Sequence, residues 1–147
     1  MTSTIAPVHK QVTVPCSAER AFQAFTAEIG QWWPLETHGV GGDDATGVSL
    51  EGRVGGLIRE HLRDGSAAVW GTVTAWEPPN RVAFTWHPGR DPEHPTYVEV
   101  RFIEEGGNTR VELEHTAWEQ WDDAETARAS YDNGWNPVLA RLSGFLS

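Results

Sequence analysis

Cysteine is almost absent from the sequence, and so are the patterns that hold disulfides and structural metals. The single cysteine, Cys16, cannot form a disulfide within the chain. Neither a paired-cysteine nor a His-x-x-x-His spacing occurs, so no metal site is predicted. The glycines of residues 39–47 lack the Lys-Ser or Lys-Thr ending of a phosphate-binding loop, and no cofactor is predicted from them.

Basic residues and long apolar runs are also scarce. Eleven Lys and Arg stand against 21 Asp and Glu, which gives a formal charge of −10 at pH 7. Because the basic residues are scattered, neither nucleic acid nor an anionic membrane is an expected partner. No stretch is apolar enough to span a bilayer, and residues 1–7 do not have the pattern of a signal peptide. A cytoplasmic location is therefore the expectation.

Tryptophan, by contrast, is abundant, with eight residues among 147. The remaining composition, 39% hydrophobic and 22% charged, is that of an ordinary globular domain. The length is close to the commonest domain size, so residues 1–147 are expected to form one domain. Since large rings need large spaces to fill or line, the tryptophans favour a roomy interior or an aromatic pocket.

Alternating apolar residues and turn-forming sequences predict an α+β fold with an antiparallel sheet. The predicted strands are residues 8–14, 57–62, 67–76, 81–87, 96–103 and 110–115, with a short one near 48–50. A first helix is predicted over 18–29, capped by Ser17. A last helix is predicted over 123–146, bent at Pro137. Its apolar face consists of Tyr131, Trp135, Val138, Leu142 and Phe145.

Turn lengths predict which strand residues share a face of the sheet. A two-residue turn at 64–65 pairs Glu60 with Val69, and the loop at 77–80 pairs Ala75 with Val82. The loop at 105–108 pairs Val98 with His115. These registers place the following residues on one apolar face: Ile58, Leu62, Val69, Val73, Phe84, Trp86, Val100, Phe102, Val111 and Leu113.

Only two ionisable side chains of these hairpins, Glu60 and His115, fall on that apolar face. A buried carboxylate is costly unless it is paired, so Glu60 is expected either to have a partner or to be protonated. His115 is one candidate partner, and Tyr131 of the last helix is another. Titratable groups in an apolar pocket are candidates for a functional site. The alternative is that each lies at a strand end, hydrated or bonded to the backbone.

Several motifs resemble those of the START-like (SRPBCC) superfamily, which has the helix-grip fold. They are Val14-Pro15 with Ala21-Phe22, Trp32-Trp33-Pro34, Gly55-Gly56 before Glu60, Asp64-Gly65, residues 70–73, 76–81 and 109–115, and Gly134-Trp135. More specifically, the chain resembles the branch related to the activator of Hsp90 ATPase homologue, which is often described as polyketide-cyclase-like. This resemblance implies a curved antiparallel sheet wrapped around a long C-terminal helix, with a cavity between them.

The resemblance implies a binding module that encloses a small hydrophobic or aromatic molecule in that cavity. The predicted ligand-binding residues are Glu60, Phe84, Trp86, Val100, Leu113, His115, Tyr131 and Trp135. The alternative is a cyclase- or hydrolase-like enzyme, in which Glu60 or His115 acts as the general acid or base. A second alternative is an Hsp90 co-chaperone-like module that binds proteins. A homodimer is compatible with a small domain of this kind, although no interface can be recognised in the sequence.

Overall fold

A seven-stranded antiparallel sheet and a long C-terminal helix make up most of the protein, which a computed structural model describes over residues 5–147. The strands are β1 Val8–Val14, β2 Ala45–Leu50, β3 Leu57–Leu62, β4 Ala67–Glu77, β5 Arg81–Trp86, β6 Thr96–Glu105 and β7 Asn108–Thr116. The α-helices are α1 Ala18–Phe25, α2 Ile29–Trp32 and α3 Ala124–Leu146, and two short 3₁₀ helices lie at Gly42–Asp44 and Trp118–Gln120. The strand order is β1-β7-β6-β5-β4-β3-β2. The predicted α+β helix-grip architecture is confirmed.

The first helical region is shorter than predicted. The Ser17 hydroxyl accepts the Arg20 backbone N–H at 3.1 Å, which is the expected N-cap of α1. Helix α1 then ends at Phe25, and α2 begins only at Ile29. The Trp32 indole of α2 donates to the Ala24 carbonyl at 2.7 Å, so a tertiary contact holds the two short helices together.

The hairpin of β6 and β7 has the predicted register, with Val98 opposite His115. In the other hairpins the register is wrong near the turn, where Glu60 lies opposite Ala68 and Ala75 lies opposite Ala83. Two β-bulges in β4 account for this, because each inserts one unpaired residue into the strand. Beyond the bulges the predicted pairs return.

The first bulge changes which side chains of β4 face inward. Arg59 lies opposite Val69 and Ile58 lies opposite Gly71, so Trp70 is the extra residue between them. Val69, predicted to lie on the apolar face, is 37% exposed, whereas Trp70 is 1% exposed. The prediction for Val69 is therefore wrong, because the alternation of side chains shifts by one residue at the bulge.

The main core lies between the apolar face of the sheet and one side of α3. Helix α3 continues through Pro137, and its Trp135, Val138 and Leu142 are buried as the helical spacing predicts. Tyr131 and Phe145 are partly buried against the same core. Among the described residues, no helix combines the length and apolar character needed to cross a membrane.

Candidate functional site

A cavity of about 230 Å³ lies between β5, helix α3 and the segment that follows α2. Its lining residues are Trp33, His38, Gly39, Val40, Trp86, Pro88, Tyr131, Gly134, Trp135 and Val138. The volume exceeds the roughly 150 Å³ of an engineered protein cavity that binds benzene. It is smaller than the roughly 300–1,000 Å³ of most drug-sized ligand sites. The cavity therefore has room for a molecule of one or two rings.

Three of the eight predicted ligand-binding residues line this cavity: Trp86, Tyr131 and Trp135. The other five lie outside the lining, and all of them are buried: Glu60, Phe84, Val100, Leu113 and His115. The predicted residues did not include His38, Gly39 and Val40, because the segment after α2 has no strand or helix period to predict its position. They also did not include Pro88 and Gly134, although the smallness of Gly134 beside Trp135 was a signal of close approach to the helix.

The aromatic walls of the cavity are packed against one another. The ring centroids of Trp86 and Trp135 lie 5.5 Å apart, and Trp33 lies 5.9 Å from Trp86 and 6.1 Å from Trp135. All three tryptophans are at most 6% exposed. The Trp33 indole donates to the His38 carbonyl at 2.9 Å, which ties this wall to the following loop. Such contacts leave the rings little freedom, so the cavity presents fixed apolar surfaces.

His38 connects the loop to helix α3 at the cavity. Its Nε2 lies 3.0 Å from the Gly134 carbonyl oxygen. Because a carbonyl can only accept, Nε2 carries a proton and donates it. Its Nδ1 lies 2.7 Å from the Thr37 hydroxyl. The loop is thus held against the helix by one side chain of intermediate exposure.

His115 lies behind the Trp135 wall in a closed hydrogen-bond network. The Trp135 indole donates to His115 Nδ1 at 3.1 Å, so this nitrogen carries no proton. His115 Nε2 lies 2.8 Å from the Thr96 hydroxyl, whose own proton goes to the Trp86 carbonyl at 2.7 Å. Nε2 is therefore the protonated nitrogen. Both ring nitrogens are occupied, and His115 is held as the neutral Nε2–H tautomer.

Burial also keeps His115 uncharged, because it lowers the pKa of the imidazole to about 3. The ring lies with its centroid 4.0 Å from that of Trp118 and meets the Tyr131 ring edge-on at 5.0 Å. None of its hydrogen-bond partners is a carboxylate that would favour the imidazolium. In this arrangement His115 orients Trp135.

Glu60 is fully buried, and its partners are N–H donors. Its Oε1 accepts the Val40 backbone N–H at 2.7 Å and the Trp70 indole at 3.0 Å. Its Oε2 accepts the Gly41 backbone N–H at 2.7 Å. A Cβ at Gly41 would lie 3.0 Å from Oε2, so glycine allows this close approach. The bonds go to the backbone and to Trp70, in place of the His115 or Tyr131 considered from the sequence.

The Glu60 contacts position one wall of the cavity. Val40 lines the cavity, and its backbone N–H is bound by the carboxylate. Trp70 packs against Trp33 and Trp86, with centroids 5.2 and 5.5 Å away. Glu60 therefore fixes both the loop over the cavity and a tryptophan behind its wall. Trp70 was missed from the sequence because only the bulge in β4 turns it inward.

The Trp86 indole differs from the other buried tryptophans. It is 3% exposed, and its Nε1–H makes no hydrogen bond of standard geometry within residues 5–147. The Tyr131 ring is its neighbour in the cavity lining. Burial raises the pKa of the Tyr131 phenol, and a hydrogen-bond contact from the Trp86 indole and the charge of the Arg90 guanidinium partly offset that rise. The Trp86 indole and the Tyr131 phenol are therefore paired in the wall of the cavity.

Residues 15–147 match the family model described as activator of Hsp90 ATPase homolog 1-like protein. The chain is also similar to a solved structure of an anthrahydroquino-gamma-pyrone synthase, Txn09, complexed with SUM. The two sequences are 33% identical, the alignment covers 98% of this chain and 99% of the other, and the TM-score is 0.66.

Two further solved structures share the fold at lower identity. CalU16 from Micromonospora echinospora is 23% identical, with 96% of this chain and 76% of that chain covered and a TM-score of 0.66. The Aha1 dimer from Colwellia psychrerythraea is 22% identical, with 97% and 96% covered and a TM-score of 0.69. Comparison with curated proteins gave no significant match.

Proposed function

Since this chain belongs to the family of activator of Hsp90 ATPase homolog 1-like proteins, we propose that it is a binding module for a small hydrophobic or aromatic molecule. The ligand lies in the cavity beneath helix α3. The observation that carries this proposal is the cavity of about 230 Å³, whose walls include Trp33, Trp86, Tyr131 and Trp135. Concave, mostly apolar sites with a few polar groups are the usual form of small-molecule sites.

The size and chemistry of the walls select the ligand class. Indole and phenol rings offer flat faces that stack against another aromatic ring. No Lys, Arg, Asp or Glu is among the lining residues, so a fully charged ligand would lose its hydration without gaining an ionic partner. A neutral molecule of one or two rings therefore fits best.

Filling the cavity from helix α3 tests this assignment. Gly134 lines the cavity, whereas a Cβ at Gly144 of the same helix would have no atom within 4 Å. Gly134→Leu is expected to abolish binding, and Gly144→Leu to preserve it, while both remove a helical glycine. With 1-tetralone at about 100 times its dissociation constant, binding should add roughly 2.7 kcal/mol of stability. The wild type and Gly144→Leu should then melt several degrees higher.

Differential scanning fluorimetry with 1-tetralone measures these shifts, and calorimetric titration gives the dissociation constants. Equal stabilisation of all three proteins would place the ligand outside this cavity. No stabilisation of the wild type by 1-tetralone or its parent hydrocarbon tetralin would contradict the proposed function itself.

An enzymatic role is the second candidate, and the observation that favours it is the name of the 33% identical synthase. The titratable side chains that line the cavity are His38 and Tyr131. Glu60 and His115 were the acid–base candidates from the sequence. In such a reaction they would act indirectly, because Glu60 holds Val40 in place and His115 holds Trp135.

Incubation with an uncyclised precursor of an anthrahydroquinone-γ-pyrone, followed by mass spectrometry, tests the enzymatic role. Loss of product in Tyr131→Phe, with ligand binding retained, would support catalysis. The same product yield from Tyr131→Phe and the wild type would count against this residue. A co-chaperone-like role in protein binding rests on the family description, and no described contact favours it.

A further inference from the structure

We propose that the Tyr131 hydroxyl selects the ligand of this cavity by donating a hydrogen bond to a neutral oxygen acceptor of that ligand, such as a ketone. This inference rests on the proposed function, because it concerns the molecule that the cavity encloses. It goes further by assigning one group of the protein to the recognition of one group of the ligand.

Tyr131 carries the one side-chain hydroxyl among the residues that line the cavity. The other hydrogen-bonding side chains of the lining are His38 and three tryptophans. Both ring nitrogens of His38 have partners, and the indoles of Trp33 and Trp135 donate to acceptors of the protein at 2.9 and 3.1 Å. The remaining indole, that of Trp86, contacts the Tyr131 phenol. The phenol is therefore the side-chain group of the lining that can still bond to a ligand.

The contact with Trp86 leaves the proton of the phenol available. An indole N–H can only donate, so Tyr131 Oη is the acceptor in this pair, and the hydrogen of the phenol is not used by it. Within residues 5–147 the hydroxyl makes no hydrogen bond of standard geometry, yet it is not among the side-chain atoms that are both enclosed and unbonded. The phenol oxygen therefore keeps accessible surface, as a contact with a ligand requires.

Trp86 supports this donor from behind the cavity wall. Its Nε1 is enclosed, so it does not touch a ligand. Because consecutive hydrogen bonds polarise one another, donation from the indole to Tyr131 Oη makes the phenol O–H a stronger donor. The buried indole thus acts on the ligand through Tyr131.

The protonation state of Tyr131 and its surroundings define the kind of acceptor. Burial raises the pKa of the phenol above its ordinary value of 10, so the hydroxyl keeps its proton at neutral pH and can donate it. The nearby Arg90 guanidinium is bound to both carboxylate oxygens of Asp123, at 2.7 and 2.9 Å, and it does not line the cavity. A carboxylate or phosphate of the ligand would therefore lack an ionic partner, whereas a neutral carbonyl needs only the phenol.

A matched pair of probes isolates this hydrogen bond. 1-Tetralone and tetralin have the same two-ring frame, and only the former has a carbonyl. Titration calorimetry gives the affinity ratio of ketone to hydrocarbon in the wild type, Tyr131→Phe and Tyr97→Phe. The ratio should fall about tenfold in Tyr131→Phe, which corresponds to about 1.4 kcal/mol, within the range of one hydrogen bond. Tyr97→Phe is the matched control and should keep the wild-type ratio. It removes the hydroxyl of the second of the two tyrosines, which is bonded to Thr74 outside the cavity lining.

Infrared spectroscopy of the wild type provides a second test that does not depend on the folding of a variant. A hydrogen bond lowers the stretching frequency of a ketone, and a ¹³C label on the carbonyl of 1-tetralone distinguishes its band from those of the protein amides. The band of bound 1-tetralone should lie below its position in cyclohexane. A band at the cyclohexane position would show that no donor bonds to the ketone, and would overturn the assignment of Tyr131.

The outcomes separate this inference from the proposed function. If both probes bind, and the ratio is the same in Tyr131→Phe as in the wild type, the assignment of Tyr131 is overturned and the cavity assignment stands. An equal fall of the ratio in Tyr131→Phe and Tyr97→Phe would also overturn it, because only one of these hydroxyls lines the cavity. If neither probe binds the wild type, the proposed function fails and this inference falls with it.

Discussion

Glu60→Gln is expected to lower the free energy of unfolding by about 2–4 kcal/mol, a large effect for the exchange of one oxygen for an NH₂ group. Glu60 receives three N–H donors, two at Oε1 and one at Oε2. In glutamine, one of these two positions becomes a donor. Whichever way the amide is oriented, at least one of these three N–H groups then faces another donor and loses its acceptor.

The loss of hydrogen bonds in Glu60→Gln should have its largest structural effect on the loop that the carboxylate binds. Val40 and Gly41 donate their backbone N–H groups to the carboxylate, and both bonds are made across some twenty residues of sequence. We expect these two amides to exchange with solvent much faster in Glu60→Gln than in the wild type. Affinity for 1-tetralone should fall as well, because Val40 forms part of the cavity wall.

Urea unfolding and hydrogen exchange measure the two effects of Glu60→Gln. Glu119→Gln, at an exposed position, removes the same charge and should change the unfolding free energy by less than about 0.5 kcal/mol. If Glu60→Gln lost no more stability than Glu119→Gln, the carboxylate would not be holding the loop.

His115 should make the protein progressively less stable as the pH falls below 6.5. Burial lowers the pKa of the folded imidazole to about 3, from an ordinary value of 6.5. Between these two values the unfolded chain binds a proton that the folded chain does not, so acid favours unfolding. Each pH unit in this interval costs about 1.4 kcal/mol, and the effect levels off below the folded pKa. Between pH 6.5 and 4.5 the contribution should be about 2–3 kcal/mol.

The comparison with His115→Gln separates this effect from the titration of carboxylates, which both proteins share. The variant should be less stable at pH 7, because glutamine cannot reproduce both bonds to Trp135 and Thr96. Its unfolding free energy should nevertheless decline less steeply with acid than that of the wild type. His61→Gln, on the exposed side of β3, is the matched control and should keep the wild-type slope. Parallel pH profiles for the wild type and His115→Gln would contradict the assignment of His115 as a buried neutral group.

Local patterns were sufficient for most secondary structure and for one complete hairpin. The register of β6 and β7 follows from a loop length and strict alternation, both of which are contained in neighbouring residues. The inward face of α3 follows from spacing in the same way, and it correctly placed Trp135 and Val138 against the core. The same patterns identified Glu60 and His115 as ionisable groups that would be buried.

Local patterns could not predict which groups would surround Glu60 and His115 in the folded protein. The bulge in β4 turns Trp70 toward Glu60, and bulges depend on how two strands fit together over their whole length. The loop after α2 has no periodicity, and it is positioned by bonds to Glu60 and to Gly134 of the distant helix α3. For that reason the roles inferred from the structure are different, with Glu60 holding a loop and His115 orienting Trp135.

The sequence by itself determined that this protein is acidic, has an α+β fold and has an aromatic interior. Charge and aromatic content follow from the composition, and the strands and helices follow from hydrophobic periodicity and turn residues, which act over short stretches of chain. Only the tertiary structure decided where the cavity lies and which side chains line it. The lining residues of the cavity come from four separate segments: β5, α3, the loop after α2 and the loop after β5. Such an arrangement exists only when the chain has folded, since no residue in it is close in sequence to most of the others.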